Sequence, residues 1–590
     1  MTSRSVPAAA RAPGLSPDRW SARALWLVAL APLAWWPDGF SRFTFPKLLL
    51  LALALACAAW GPARGRMPRR LLLLVLVALL VLASAAVASD APVASLVGRW
   101  PRYEGVPTLA LYLSAAWVGA RVAARDARAL VAPLTVVSTT LGVLALLDLV
   151  HLDLLALGSG ARGGSVLGNA TDQGVVAVLC LAVLGDALLR DHTPAPLVGA
   201  TGALVTVAAS GSRTALLVGV LVLVVLALRV RGRRTAVTTG AGLAVLLVAT
   251  LAFPSTRERL LSGTTVEGRL LQWPPSWRLA LDHPLLGVGP SGYLDAFGRY
   301  ETADWVRWAG PYQQVDSPHS WLLQAWSAGG VPLVLLALVV AAYVVRLGVD
   351  SVRARPELFG SLLAVLACGV ALLPNFTSAG PVALGALLVG VLVGEPIRTD
   401  EPAWRARTVA AVGAAAAVVL AAACISEWSV QRGVEAAGRG DATAAAEQFD
   451  NAIRWRPWDA DLSMLAAQGL APLASAGDVE AALVTERYAR ESLVRTPHTY
   501  ASQVALGAAL LAQQRADEAL VELDDAVDTF PRRPAALVQR ALTRAALGQL
   551  DEASADLERA AALAPRDASI PRLREAIRQE SGRSGGTPGG

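Results

Sequence analysis

The sequence predicts an all-α protein, a polytopic transmembrane helical bundle followed by an α-solenoid. Hydrophobic residues make up 54% of the 590 residues and charged residues only 17%, a balance that soluble domains rarely show. Between residues 24 and 425 the apolar residues form runs long enough to cross a bilayer as helices. After Trp428 the chain becomes charged and periodic, as expected for amphipathic helices that pack in water.

The apolar runs predict about 12 to 13 membrane spans. The candidate spans are residues 24–37, 46–60, 70–89, 106–123, 129–150, 173–190, 196–210, 214–229, 236–253, 321–346, 358–374, 378–395 and 408–425. The expected divisions are a cytoplasmic tail over 1–23, a membrane domain over 24–425 with a large outer loop at 254–320, a repeat domain over 430–580 and a flexible tail over 581–590.

The arginines predict how these spans are oriented. The loops 61–70, 120–128 and 229–234 are rich in arginine, whereas the alternate short loops carry fewer basic residues. By the positive-inside rule, the arginine-rich loops and the N-terminus are cytoplasmic in a multi-pass plasma (inner) membrane protein surrounded by membrane lipids. An odd number of spans places the loop 254–320 and the repeat domain outside the cytoplasm.

Composition also excludes several classes of function. The net charge of +6 comes almost wholly from arginines in short loops, and no stripe of basic and aromatic residues indicates nucleic-acid binding. The four cysteines lie inside apolar runs without CxxC or Cys/His spacing, which argues against a zinc site or a disulfide frame. We therefore expect no metal and no cofactor.

The C-terminal region repeats itself. The segments "RADEALVELDDAVDTFPRRP" (515–534) and "QLDEASADLERAAALAPRDA" (549–568) align with an offset of about 34 residues, the tetratricopeptide period. This region resembles a tetratricopeptide domain, whose concave surface binds peptides or proteins in many cases. A protein partner for the repeats and a purely structural cap on the membrane domain are both open alternatives.

Two polar clusters stand at helix ends on the predicted outer side. "RGGSVLGNATDQG" (162–174) contains Arg162 and Asn169, and Asn169 could cap the following helix or bind a sugar hydroxyl. "ASGSRTALL" (209–217) is a short turn with Ser212 and Arg213. An arginine between apolar helices is costly unless an anion or a buried partner meets it, the alternative being a side chain that reaches the interface.

Two further clusters lie in the outer loop and at its end. "GRLLQWPPSWRLALDHPLLGVGPSGY" (268–293) contains Arg269 and Arg278, which could bind a phosphate through bidentate hydrogen bonds. Its Gly-x-Gly-x-x-Gly run follows no strand, so we expect a turn rather than a dinucleotide site. In "DSPHSWLLQAWSAGG" (316–330), His319 could remove a proton and Asp316 could orient its ring, or the pair could simply begin a helix.

The order of these motifs, together with "FTFPKLLLL" (43–51) and "LVGRWPRYEGV" (96–106), resembles the O-antigen ligase and O-antigen polymerase superfamily of bacterial membrane glycosyltransferases. The resemblance extends from about residue 20 to 425, and some members carry C-terminal tetratricopeptide repeats. It implies transfer of a glycan from an undecaprenyl pyrophosphate carrier to an acceptor hydroxyl on the outer face, without a metal.

The resemblance also implies roles for particular residues. Arg213 and Arg269 would bind the pyrophosphate, with Arg278 as an alternative to Arg269 and Arg162 as a further candidate ligand. His319 would act as the general base on the acceptor hydroxyl or hold that hydroxyl in line for attack. The acceptor (glycan, lipid or protein) and the choice between ligase and polymerase stay open. The alternative class is a polytopic transporter or flippase of lipid-linked sugars with the repeats as an adaptor, for which charged residues in the middle of broken helices would be expected.

Overall fold

The computed structural model describes residues 19–150, 152, 166–229, 232–261, 264–310, 314–397 and 402–584. In these residues the protein is almost entirely helical, which confirms the predicted fold class. The membrane part contains α1 (Arg19–Leu30), α2 (Phe45–Trp60), α3 (Arg69–Val87), α4 (Pro92–Val97), α5 (Val106–Ala123), α6 (Arg128–Leu149), α7 (Ala170–Asp191), α8 (Pro194–Ala209), α9 (Arg213–Arg229), α10 (Arg233–Ala252), α11 (Pro254–Leu261), α12 (Thr264–Asp282), α13 (Tyr293–Ala296), α14 (Ala303–Ala309), α15 (Trp321–Ala354), α16 (Phe359–Ala371), α17 (Ala379–Val393) and α18 (Ala403–Gly438).

Every predicted span coincides with one of these helices. Within the described residues, seven helices are both long and apolar enough to cross a membrane, namely α3, α5, α6, α7, α10, α15 and α18. Helices α2, α8, α16 and α17 are apolar but shorter, and α1 ends after 12 residues in a 3-10 turn at Ala31–Leu33. Helix α7 is the centre of the bundle, since 94% of its apolar window is buried, whereas α3, α10, α15 and α18 lie at the periphery.

Two strands of two residues each join loops at one end of the bundle. Strand β1 (Gly65–Arg66) pairs antiparallel with β2 (Glu395–Pro396), and Arg66 forms an exposed ion pair with Glu395 at 3.1 Å. Strand β1 lies in the loop 61–70, which the arginine pattern predicts to be cytoplasmic.

Helix α15 is broken near its start. Gly329 and Gly330 depart from helical geometry, and Gly330 has a φ of 68°. The turn after α12 fills the break, because the Val331 N–H donates to the Pro284 carbonyl at 2.8 Å and the Val288 N–H to the Ser327 carbonyl at 2.7 Å. A Cβ on Gly330 would stand 2.3 Å from the Leu285 oxygen, so this contact requires glycine.

The C-terminal part is a solenoid of helix pairs: α19 (Ala442–Trp455), α20 (Asp461–Ser475), α21 (Val479–Arg495), α22 (Tyr500–Ala512), α23 (Ala516–Thr529), α24 (Pro534–Ala546), α25 (Leu550–Leu563) and α26 (Ser569–Ser584). The alanines that recur at the 34-residue offset, Ala519 and Ala553 as well as Ala526 and Ala560, are all fully buried. Their small size lets successive helices pack closely, as a tetratricopeptide repeat requires.

The solenoid lies against one end of the bundle, and buried ion pairs hold it there. Arg99, in the loop after α4, donates to Asp461 of the solenoid at 2.7 Å, and both side chains are almost inaccessible. Arg533 of the solenoid pairs with buried Glu301, which follows α13. Both pairs lie on the side of the bundle where α15 begins, so the solenoid covers the end that contains His319.

Candidate active site

His319 precedes α15 by two residues, and its ring is held in one orientation. Its Nδ1 lies 3.1 Å from the Ser317 carbonyl oxygen. A carbonyl can only accept, so Nδ1 carries the proton and Nε2 keeps its lone pair. The ring meets Phe376 edge to face at 5.1 Å, and the backbone of His319 is left-handed at a φ of 50°. Such a conformation is uncommon outside glycine and is found often at functional sites.

Helix α12 fixes the segment before His319. Gln272 Nε2 donates to the same Ser317 carbonyl at 2.6 Å, and Trp273 Nε1 donates to the Pro318 carbonyl at 3.1 Å. The predicted outer loop therefore supplies a rigid support for the histidine and not a free lid.

The surroundings keep His319 neutral. Burial, reinforced by the nearby positive charge of Arg269, lowers the pKa of His319 to about 3, and the negative charge of Asp316 opposes this only in part. At neutral pH the imidazole is therefore unprotonated and Nε2 can accept a proton, while the lowered pKa makes it a weaker base than a free histidine.

Arg269, the first predicted phosphate ligand, is close to this histidine. It lies one helical turn before Gln272 on α12, and its one hydrogen bond among the described residues is to Gln272 Oε1 at 3.4 Å. Burial lowers the pKa of Arg269 to about 10, so it remains charged at neutral pH. Within the described ranges it has no carboxylate partner, and a half-buried guanidinium without one favours an anionic ligand.

Among the hydrogen bonds of the described residues, that of the His319 ring goes to the Ser317 carbonyl, whereas the expectation was that Asp316 orients the ring. The Asp316 carboxylate accepts from Arg102 Nε at 2.7 Å, and its backbone carbonyl accepts from Arg102 Nη2 at 2.8 Å. The physical reason is that an arginine offers two parallel donors to one residue, which a single imidazole N–H cannot match. The ring is oriented by the Ser317 backbone instead.

Arg102, in the segment 96–106 that contributes to the resemblance, is a further residue of this site. It also pairs with buried Glu104 at 3.2 Å and covers the Phe376 ring at 4.9 Å. Burial would lower the pKa of Arg102, but the carboxylates of Asp316 and Glu104 outweigh it and raise that pKa. In the sequence, the only sign of a role for Arg102 is the tryptophan and the charges of its segment, because Asp316 and Phe376 are distant in the chain.

A second layer of hydrogen bonds joins Glu104 to the beginning of α15 and to the loop before α17. Gln324 Nε2 donates to Glu104 at 2.7 Å, and the Thr377 hydroxyl donates to Glu104 at 2.9 Å. Burial raises the pKa of Glu104, and the charge of Arg102 opposes that rise. Arg102, Glu104, Gln324 and Thr377 thus form one network around Asp316.

The remaining predicted site residues lie elsewhere. Arg213 begins α9 and donates to the Arg259 carbonyl, while the Ser212 hydroxyl accepts from the Ala215 N–H at 3.3 Å as a helix cap. Among the described residues neither shares a hydrogen bond or ion pair with His319. Arg278 is exposed on α12. Arg162 lies outside the described residues.

Asn169 caps α7, because its side chain accepts from the Thr171 N–H at 2.8 Å. It also lines a polar cavity of about 340 Å³ together with Lys47, Asp172, Arg102 and Asp316. Asn169 therefore caps the helix and also lies in a cavity.

Three cavities meet at Trp100 and Asp316, which line all of them. The polar cavity is the first. The second, of about 270 Å³, is mostly apolar and runs between α3, α5 and α15, with Leu82, Leu113 and Val340 among its walls. The third, of about 690 Å³, lies between the bundle and the solenoid.

These features define a polytopic helical membrane protein with a histidine and arginines at one end of its bundle and a repeat solenoid over that end. Residues 198–338 of the chain match the family model Wzy_C, described as O-antigen ligase. The resemblance drawn from the motifs is thereby confirmed over this segment, which includes Arg213, Arg269, Asp316 and His319.

Comparisons of structure find a tetratricopeptide protein and two further proteins among their matches. TTC0263, a thermophilic TPR protein of Thermus thermophilus, is 24% identical over 27% of this chain and 84% of its own, with a TM-score of 0.23. Yeast Tom70 is 12% identical over 70% and 88%, with a TM-score of 0.19. The Cut9 and Hcn1 hetero-tetramer of APC/C gives 13%, 80%, 94% and 0.23 for the same quantities.

These TM-scores support no conclusion by themselves, and the helix pairs of this chain establish the solenoid. No curated protein sequence matches the chain.

Proposed function

We propose that this protein transfers a glycan from an undecaprenyl pyrophosphate carrier to an acceptor hydroxyl on the outer face of the plasma membrane. The observation that carries the proposal is the pairing of Arg269, a half-buried guanidinium without a carboxylate partner among the described residues, with His319, a neutral histidine. An anion and a proton-donating hydroxyl are the two ligands that such a pair accommodates.

In the proposed step the acceptor hydroxyl gives its proton to Nε2 of His319. Its oxygen bonds to the anomeric carbon of the donor sugar, and the bond from that carbon to the pyrophosphate oxygen breaks. Undecaprenyl pyrophosphate leaves with the electron pair, and Arg269 stabilises its charge. Fixed positive charge in a largely buried site stabilises such a leaving group more than it would in water.

Arg102 has a different proposed role. Its guanidinium is committed to Asp316 and Glu104, so it holds the segment before His319 in place. Arg213, Arg278 and Arg162 remain candidate pyrophosphate ligands, and Asn169 and Ser212 candidate contacts to substrate, on the strength of the resemblance alone.

The apolar cavity supports a lipid-linked donor. It is bounded by the peripheral helices α3 and α15 and ends at Trp100 and Asp316, close to His319. An isoprenoid chain in this cavity would place its pyrophosphate at the polar end of the bundle, where the arginines are. Burial of the apolar surface of the isoprenoid chain would contribute favourable free energy to donor binding.

Reconstitution into vesicles with a lipid-linked oligosaccharide tests the proposal. A ladder of products on the same carrier indicates a polymerase, and glycan on a new acceptor indicates a ligase. Unchanged donor appearing on the opposite leaflet, with no new glycosidic bond, would contradict the proposal and support a transporter.

A further inference from the structure

The third cavity, between the bundle and the solenoid, is built from one face of the repeat helices. Its solenoid wall includes Gln468, Ala471 and Ser475 on α20, Val504 and Ala508 on α22, and Gln539 on α24. Within each helix these residues are three or four positions apart and so share one face. Helices α20, α22 and α24 each open a repeat, because the helix that follows each of them ends just before Pro497, Pro531 or Pro565. The face that these first helices share is the concave surface of a tetratricopeptide solenoid.

The opposite wall belongs to the membrane domain. It includes Trp100, Leu294, Gln314 and Asp316. Trp100 is held by the solenoid itself, because its backbone N–H donates to Asp461 at 2.7 Å. The cavity is therefore continuous with the place where the other two cavities meet. A ligand in it would have one end beside Asp316, three residues before the candidate catalytic group.

The lining mixes apolar side chains with uncharged polar ones and carries little free charge. Of its two charged residues, Arg533 is paired with Glu301 and Asp316 with Arg102. Gln468 and Gln539 make no side-chain hydrogen bond within the described residues, and neither does the indole N–H of Trp100. The volume of about 690 Å³ falls in the range of sites for small ligands.

This chemistry suits a neutral polyhydroxyl chain. Amide groups pair with hydroxyls, and aromatic faces such as those of Trp100 and Tyr500 pack against the apolar faces of sugar rings. A peptide would fit a tetratricopeptide groove in general, but it would bring backbone groups and charges for which this lining offers few partners, and the bundle closes one side of the groove.

The geometry points to an oligosaccharide-binding site in the cavity formed by the concave face of the solenoid and the end of the bundle that contains His319. The site holds the sugars that lie beyond the reacting one, and the choice of a saccharide over other neutral ligands rests on the proposed function. These sugars belong either to the donor or to the acceptor, since both chains meet at His319.

Binding of lipid-free oligosaccharide tests the site without any need for catalysis. The probe is the oligosaccharide released by mild acid from the lipid-linked carriers of the producing cells, titrated into the full-length protein by calorimetry. The variants are Ala471→Trp, which fills the cavity, and the double change Gln468→Ala with Gln539→Ala, which removes two amides without adding bulk. Val521→Trp on α23 is the matched control, because Val521 is an exposed solenoid residue outside the cavity lining.

We expect the unaltered protein and Val521→Trp to bind the oligosaccharide alike. The other two variants should bind at least about tenfold more weakly, as for the loss of one good subsite. No binding by the unaltered protein, or equal binding by all four, would overturn the site. The proposed saccharide site would also be overturned if the cavity variants bound oligosaccharide normally but lost a peptide that copurifies with the unaltered protein.

Kinetics identify the source of the sugars and separate this site from the proposed function. If the cavity variants show a raised KM only for long donors, the site binds the donor glycan. If their KM rises only for long acceptors, the site binds the acceptor. Transfer of a single sugar should be unaffected in either case. A protein that binds oligosaccharide through this cavity but transfers nothing would refute the proposed function and leave the binding site standing.

Discussion

Arg102 donates two hydrogen bonds to Asp316, one to its carboxylate at 2.7 Å and one to its backbone carbonyl at 2.8 Å. The two residues are 214 positions apart in the chain. Because Asp316 precedes His319 by three residues, Arg102 fixes the backbone that presents the histidine. The loop after α4 thus positions a group that the sequence places at the end of a different loop.

Replacing Arg102 by lysine should disturb these two hydrogen bonds while keeping the charge. Lysine cannot donate two parallel bonds, so we expect kcat for glycan transfer to fall by roughly 10-fold to 100-fold with little change in the KM for the donor. Arg353→Lys is the matched control, since Arg353 is exposed on α15. A rise in KM at unchanged kcat would argue for direct substrate binding by Arg102 instead.

Replacing His319 by alanine should abolish transfer and leave the fold intact. Loss of a general base typically lowers the rate by about 10² to 10⁴. The control is His283→Ala, an exposed histidine in the turn after α12. Product formation is followed with a labelled lipid-linked donor, alongside the yield of membrane-inserted protein. Full activity of His319→Ala would remove the histidine from the proposed step.

Replacing Arg269 by glutamine should change both donor binding and the pH profile. The charge of Arg269 is the second cause, after burial, of the lowered His319 pKa, so its removal moves that pKa upward from about 3. The acid limb of kcat/KM should therefore shift to higher pH in Arg269→Gln, and the KM for the donor should rise. In the exposed control Arg353→Gln we expect no shift, and the same shift in both variants would contradict the assignment.

The neutral histidine should also make stability depend on pH. The His319 pKa is about 3 in the folded protein and near its usual 6.5 when unfolded, so the unfolded chain binds more protons between these values. The contribution is complete above pH 6.5 and is lost as the pH falls toward 3. The Tm in detergent should thus fall less between about pH 7 and about pH 4.5 in His319→Asn than in the unaltered protein, and equal falls would count against burial of the ring.

The contact between solenoid and bundle should depend on Arg99. It donates to Asp461 of the solenoid and to Asp295 of the predicted outer loop, so Arg99→Met leaves two largely buried carboxylates without their partner. Removing one partner of such a cluster costs about 3 to 5 kcal/mol. We expect limited proteolysis to release the solenoid much faster from this variant than from Arg353→Met. Equal rates would mean that other contacts dominate.

The sequence by itself determined the class of fold, the place of each helix and the family resemblance. Lengths of apolar runs and a 34-residue repeat are local properties, and they are written in consecutive residues. Each predicted span therefore fell on a helix, although α18 extends to Gly438 and α15 contains a break that the turn at Pro284 fills. The pairing of His319 with Arg269 was foreseen only through the resemblance.

Tertiary structure alone decided what surrounds the histidine. The Asp316 carboxylate accepts from Arg102, and Arg213 donates to the Arg259 carbonyl. The solenoid is held over the site by the ion pair of Arg99 with Asp461. Each contact joins segments far apart in sequence, and a buried charge selects whichever opposite charge or carbonyl the packing brings within reach. No local pattern encodes that choice, because it depends on the distances between helices once the bundle has formed.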